Sequence, residues 1–234
     1  MSLPQLNSSP KYSLRIPSSG KEIKFRPYLV REEKVLLMAL ETKDVKSALN
    51  AVVDTIISCV DETIRPNDLT TFDVEYMFTQ IRAKSSGENS TILVGCTSCE
   101  HKNEVNIPLD ELAVDVPLVE RRVKLGDDIS IELKYPSYSK IIQYDLEDAD
   151  KASTAFDLAG SCIDSIIHGE ERIDATDVST EQLSNFLDSM TTQQFQGIAE
   201  FISTIPKLQH NVAFACESCQ KDNLITLEGM QNFF

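Results

Sequence analysis

Four of the six cysteines stand in two Cys-x-x-Cys pairs, Cys96 with Cys99 and Cys216 with Cys219, set 120 positions apart. Each pair lies between two β-like runs, in STILVGCTSCEHKNEVNI and HNVAFACESCQKDNLITL. Two thiolates on a tight strand-to-strand turn face the same side and supply half of a tetrahedral zinc shell, with metal-to-sulfur distances of ~2.3 Å. One such knuckle cannot close the shell, but two can. The spacing predicts a single structural Zn2+ held by Cys96, Cys99, Cys216 and Cys219. A thioredoxin-like redox pair fits less well, because it opens a helix after a strand within a βαβ unit, whereas both pairs here are flanked by strands.

A catalytic zinc needs an open position and a nearby general base. His101, two residues after Cys99, is the candidate, but it sits at a polar hairpin tip beside Lys102 and Asn103, and the second copy has Lys221 there. Cys59 and Cys162 fall on the inward stripes of helices and belong to the core. His168 precedes Gly169 at an expected helix C-terminus, where a cation suits the dipole. No P-loop, Gly-x-Ser-x-Gly or dinucleotide fingerprint occurs, and three His leave little room for acid/base catalysis. The cluster Asp145, Glu147, Asp148 and Asp150 reads as a helix end facing water. The expected protein is not an enzyme.

The elements that must position the cysteines repeat along the chain. IKFRPYLVREEKVLLMALE reads as a strand ending at Pro27 and then a helix with Val35, Leu36, Met38, Ala39 and Leu40 mostly inward. ISIELKYPSYSKIIQYDLED repeats that order, with Ile129, Ile131 and Leu133 alternating, then Pro136, then a helix carrying Ile141, Ile142 and Leu146. A second helix follows in each half, with Val45, Leu49, Val52, Val53, Ile56, Cys59 and Val60 on one stripe and Phe156, Ala159, Ile163, Ile166 and Ile167 on the other. Ser-Cys-Val-Asp at 58–61 matches Ser-Cys-Ile-Asp at 161–164. Thr71 and Thr191 open a further helix in each half, the latter with Gln194 in a capping-box pattern.

From Cys59 to Cys96 is 37 positions and from Cys162 to Cys216 is 54, so the second copy is longer by 17. Thr71 to Cys96 and Thr191 to Cys216 both span 25, which puts the insertion before Thr191, where Ser179 and Gln182 can cap an extra helix. The predicted fold is α+β, an internal duplication of a strand–helices–β-hairpin module whose two knuckles form one zinc-ribbon-like site. Its parts are a flexible N-terminal arm over 1–20, a first module over 21–117 and a second over 118–234.

The formal charge of −15 opposes binding to nucleic-acid phosphates and to anionic membranes, and the basic pieces, Arg121-Arg122 and residues 21–26, read as solvated faces. No run of about 18 apolar residues occurs, and the start lacks the pattern of a secretory signal, so the chain is expected to stay in the cytoplasm where it is made. The N-terminal quarter carries a family likeness. Residues 16–41, centred on Arg26-Pro27-Tyr28-Leu29-Val30-Arg31-Glu32-Glu33-Lys34, resemble the baseplate hub proteins of T4-like tailed bacteriophages. That resemblance implies a late viral protein that helps build the central hub of the tail baseplate. It would be either a hub component of the virion or an assembly factor that leaves. The implied partners are other baseplate hub proteins, with no nucleic acid, membrane or small-molecule substrate, and the place is the host cytoplasm during assembly. The final Phe233 and Phe234 either dock on a partner or fold back on the core. The alternatives are a zinc-ribbon regulator binding nucleic acid or polymerase, and a zinc hydrolase using His101.

Overall fold

A computed structural model of the chain describes residues 9–42, 44–143 and 152–229. It is a mixed α/β structure with small antiparallel sheets. Its residues pack into two compact units, one drawn from Met1–Arg65, Phe72–Asp115 and Lys207–Phe234, the other from Pro66–Thr71 and Val116–Pro206. The expected cluster at Asp145, Glu147, Asp148 and Asp150, Leu146, and the Phe233-Phe234 end lie outside the described residues.

The first unit begins with a hairpin of β1 (Tyr12–Arg15) and β2 (Glu22–Phe25), closed by a turn in which Gly20 takes φ 67° and donates to Ile16 O at 2.8 Å. A left-handed residue is needed there, and glycine adopts it without strain. β1 lies inside the stretch expected to be an arm, because the alternation of Leu14 and Ile16 gives this segment an apolar face to bury. Helix α1 (Val30–Glu41) is tied down at its start by Glu32, whose carboxylate accepts from Leu29 N at 2.8 Å and from Arg26 and Arg31 at 2.9 and 2.6 Å. α2 (Val45–Cys59) starts at Asp44, which accepts from Lys46 N and Ser47 N, and it buries Val52, Val53, Ile56 and Cys59. Val60 then bridges antiparallel to Phe25, and Arg26 N donates to Cys59 O at 2.9 Å.

The expected inward face of α1 is not what forms. Val35, Met38 and Leu40 are exposed, and only Glu32 is buried. The helix touches its neighbours along the line of Glu32, Leu36 and Ala39, and apolar residues all around the rest leave most of them outside.

α3 (Thr71–Ser86) buries Phe72, Met77 and Ile81, and its Asp73 accepts from Ser18 N and Ser18 Oγ at 2.9 and 2.6 Å. Two hairpins complete this unit, β3 (Asn89–Gly95) with β4 (Lys102–Pro108), and, far along the chain, β9 (Gln209–Ala215) with β10 (Asp222–Glu228). Their registers agree at the 120-residue offset, Asn89 opposite Pro108 and Gln209 opposite Glu228. Ile107, Leu109 and Leu112 from the first segment share one buried cluster with Leu208 and Val212 from the last.

The second unit holds a four-stranded antiparallel sheet in the order β5 (Arg122–Lys124), β6 (Ile129–Leu133), β7 (Ile163–His168), β8 (Glu171–Asp174). Around it stand α4 (Tyr138–Ile141), α5 (Ala152–Cys162), α6 (Thr180–Asp188) and α7 (Thr192–Ser203). Both expected caps form: Ser179 with Gln182 opens α6, and Thr191 with Gln194 opens α7. The helix expected to carry Ile163, Ile166 and Ile167 ends at Cys162 instead, and those residues form β7. Three β-branched side chains in six residues favour a strand, and this strand finds partners on both sides. His168 consequently ends a strand, next to Gly169 at φ 60°, rather than a helix. Leu133 pairs with Ile163 and Lys134 N donates to Cys162 O at 2.7 Å, as Phe25 pairs with Val60 and Arg26 N with Cys59 O in the first unit.

Candidate metal centre

The two knuckles fold alike. Cys96 N donates to His101 O and Cys216 N to Lys221 O, at 2.8 and 2.9 Å, which closes each hairpin end. Within each turn, Glu100 N reaches Cys96 O and Gln220 N reaches Cys216 O, with Glu100 and Gln220 both at φ 58°. A residue in the left-handed region is what turns the chain back after the second cysteine, and the backbone N–H groups thereby freed point toward the first sulfur. Ser98 N lies 3.4 Å from Cys96 Sγ.

All four Sγ atoms, of Cys96, Cys99, Cys216 and Cys219, lie within 4.8 Å of one another. The close pairs run between knuckles, Cys96 to Cys219 at 3.7 Å and Cys99 to Cys216 at 3.6 Å. Four sulfurs at ~2.3 Å from a common ion stand ~3.8 Å apart, whereas a disulfide brings two sulfurs to ~2.05 Å. The arrangement therefore has the dimensions of an S4 tetrahedron and not of two disulfides. Cys96 and Cys216 are buried and Cys99 and Cys219 are exposed, so one edge of the cluster faces solvent.

The electrostatics match. Backbone N–H groups of Ser98 and Cys99 hold the Cys96 thiol down at about 6, and those of Cys219 and Ser218 lower Cys216 against the opposing effect of burial. The Lys221 N–H favours a thiolate on Cys219, but the Cys99 sulfur, desolvation and the sulfurs of Cys96 and Cys216 together outweigh it and push this thiol up to about 12. Four thiolates at this separation ionise together only around a cation, which makes the donor set suited to a soft divalent metal.

Two residues that the cysteine spacing does not point to link the knuckles. Asn223 Oδ1 accepts from Thr97 N at 3.0 Å and Thr97 Oγ1 at 2.8 Å, and Asn103 Oδ1 accepts from Glu217 N at 2.8 Å. Each amide also braces its own turn, Asn223 Nδ2 donating to Lys221 O at 2.8 Å and Asn103 Nδ2 to His101 O at 2.9 Å. Both side chains are buried, and the exchange is reciprocal. The signal for them is in the sequence: each knuckle reads Cys-x-x-Cys-x-x-x-Asn.

His101 is exposed, and among the described residues the cluster consists of the four cysteines without it. Cys59 and Cys162 are buried elsewhere, where burial pushes their thiols up to about 11 and about 12. No described helix is long and apolar enough to cross a membrane.

A search of curated proteins and one of solved structures find no match to this chain. Among protein-family models, the one described as T4 bacteriophage base plate protein matches residues 9–234. That match runs through both knuckles and nearly the whole sequence, and on it the chain belongs to the family of T4 bacteriophage base plate proteins.

Proposed function

We propose that this baseplate protein is a structural or assembly component of the central hub, stabilised by one Zn2+ bound to Cys96, Cys99, Cys216 and Cys219, and acting through contacts with other hub proteins. The observation that carries the metal reading is the meeting of four sulfurs from segments 117 to 123 residues apart, within 4.8 Å. A bound ion ties the C-terminal hairpin to the hairpin of β3 and β4, so that metal binding contributes folding free energy directly. The hub reading is supported by the family and by the likeness over residues 16–41.

The two halves are best understood as copies of one module, 21–117 and 118–234, with the zinc-ribbon-like site shared between them. The equal hairpin registers, the matched turns with Glu100 and Gln220 at φ 58°, and the bridge following each Ser-Cys string support this. In the second copy that bridge has grown into β7, and β8 and α6 follow it, which accounts for the extra 17 residues. The charge of −15 opposes the nucleic-acid alternative.

The test is co-expression with the other hub proteins of the same phage. A subcomplex containing this chain is expected, and it should be lost when Cys99→Ser and Cys219→Ser are combined. Absence of any subcomplex, together with salt-sensitive binding to DNA or RNA, would replace the hub reading with the regulator.

A further inference from the structure

Helix α1 carries more apolar surface than the first unit covers. Val30, Leu37, Met38 and Leu40 are 79, 57, 56 and 65% exposed, on a helix of 12 residues. Several large apolar side chains exposed together on one short helix, interleaved with Arg31, Glu33, Lys34 and Glu41, mark a surface for a protein partner. The charges on the exposed side indicate what covers it.

Val30, Lys34, Leu37 and Glu41 follow one line along the helix at spacings of four, three and four residues, and all four are exposed. The cation lies one turn before Leu37 and the anion one turn after it. If a second α1 is laid antiparallel about a two-fold axis between Leu37 and Met38, Leu37 meets Met38 of the other copy. Lys34 meets Glu41, and by symmetry Glu41 meets Lys34. Glu33 comes opposite the uncharged Thr42, so no like charges oppose one another. A surface that is complementary to itself under a two-fold rotation is what an isologous dimer requires.

We propose that α1 is the interface by which two copies of this chain pair, antiparallel, through Leu37 and Met38 with two Lys34–Glu41 ion pairs. The helix is ~18 Å long, which places the contact at the small end of specific interfaces and the dissociation constant in the micromolar range.

The experiment is sedimentation equilibrium of the full chain from 1 to 200 μM in 150 mM salt, where a Debye length of ~8 Å mutes repulsion between two acidic molecules. Wild type should approach twice the 26.2 kDa of the chain. Lys34→Glu and Glu41→Lys, both at exposed positions and checked by circular dichroism for an unchanged fold, should each weaken dimerisation by about tenfold or more. An equimolar mixture of the two variants restores both ion pairs and should recover the wild-type dimer. Wild type that stays monomeric at 200 μM, or a mixture that associates no better than its components, overturns the proposal; capture of a different baseplate protein by this face would then name the true occupant.

Discussion

Asn223→Ala removes the amide that ties one knuckle to the other, and its cost can be worked from the contacts. Three hydrogen bonds disappear, from Thr97 N, from Thr97 Oγ1 and to Lys221 O. At roughly 0.5–1.5 kcal/mol each they total about 3 kcal/mol, and the lower half of that range applies because Thr97 is exposed and water can replace part of the loss. A loss of about 2 kcal/mol is the expectation, with the truncated side chain leaving a small void besides. Because this amide orients the backbone that donates to the sulfurs, metal affinity should also fall, by about 10- to 100-fold as for other groups that brace ligands. Asn106→Ala is the control: it also removes an Asn, one bonded to Thr91 on an exposed rung of the same hairpin pair, and should cost under about 0.5 kcal/mol with metal affinity unchanged. The assays are urea denaturation of the metal-loaded protein and competition against a chromogenic chelator. Equal behaviour of the two variants in both assays would refute the bracing role.

Three more outcomes follow from other parts of the molecule. Burial alone would raise the Glu32 carboxyl, but the hydrogen bonds from Arg26, Arg31 and Leu29 N bring it down from 4.5 to about 2. Because the folded value is the lower one, this stabilisation is complete above pH 4.5 and is lost as pH falls toward 2. Lowering this carboxyl to about 2 is worth ~3 kcal/mol, reduced to about 2 because Arg31 is exposed, so Glu32→Gln should cost about 2 kcal/mol in urea at pH 7 and clearly less at pH 3. Gly197→Ala would put a Cβ 2.7 Å from Val123 Cγ1; overpacking of ~1–3 kcal/mol is partly offset by ~1 kcal/mol of helix propensity. A lower Tm is expected, recovered when Val123→Ala is added. Cys59 and Cys162 should resist iodoacetamide at pH 8 in the folded protein and react only on unfolding, as read by mass spectrometry after digestion.

The meeting of the four cysteines was legible in the sequence because two Cys-x-x-Cys pairs at matching places, each between runs that alternate as hairpin strands do, suit one shared cluster better than two separate ones. The caps at Ser179 and Thr191 were legible for a local reason, since the residues that bond are three apart. What failed was decided by tertiary partners. Residues 163–168 have an apolar pattern that suits either a buried helix or a strand, and only the flanking β6 and β8 settle it. The face of α1 could not be chosen by periodicity when Val30, Val35, Leu37, Met38 and Leu40 point in several directions. Asn103 and Asn223 escaped because an Asn four residues after a cysteine means little until both copies place it against the other's turn.

Metal content measured together with thiol release decides whether both cysteine pairs hold one ion. Purified wild type should contain one zinc per chain by inductively coupled plasma mass spectrometry, released in step with titration of four thiols by a mercurial. An iron-loaded S4 site would show itself by visible absorption. Wild type that folds without any metal, or that binds one ion at each Cys-x-x-Cys pair separately, would contradict the account.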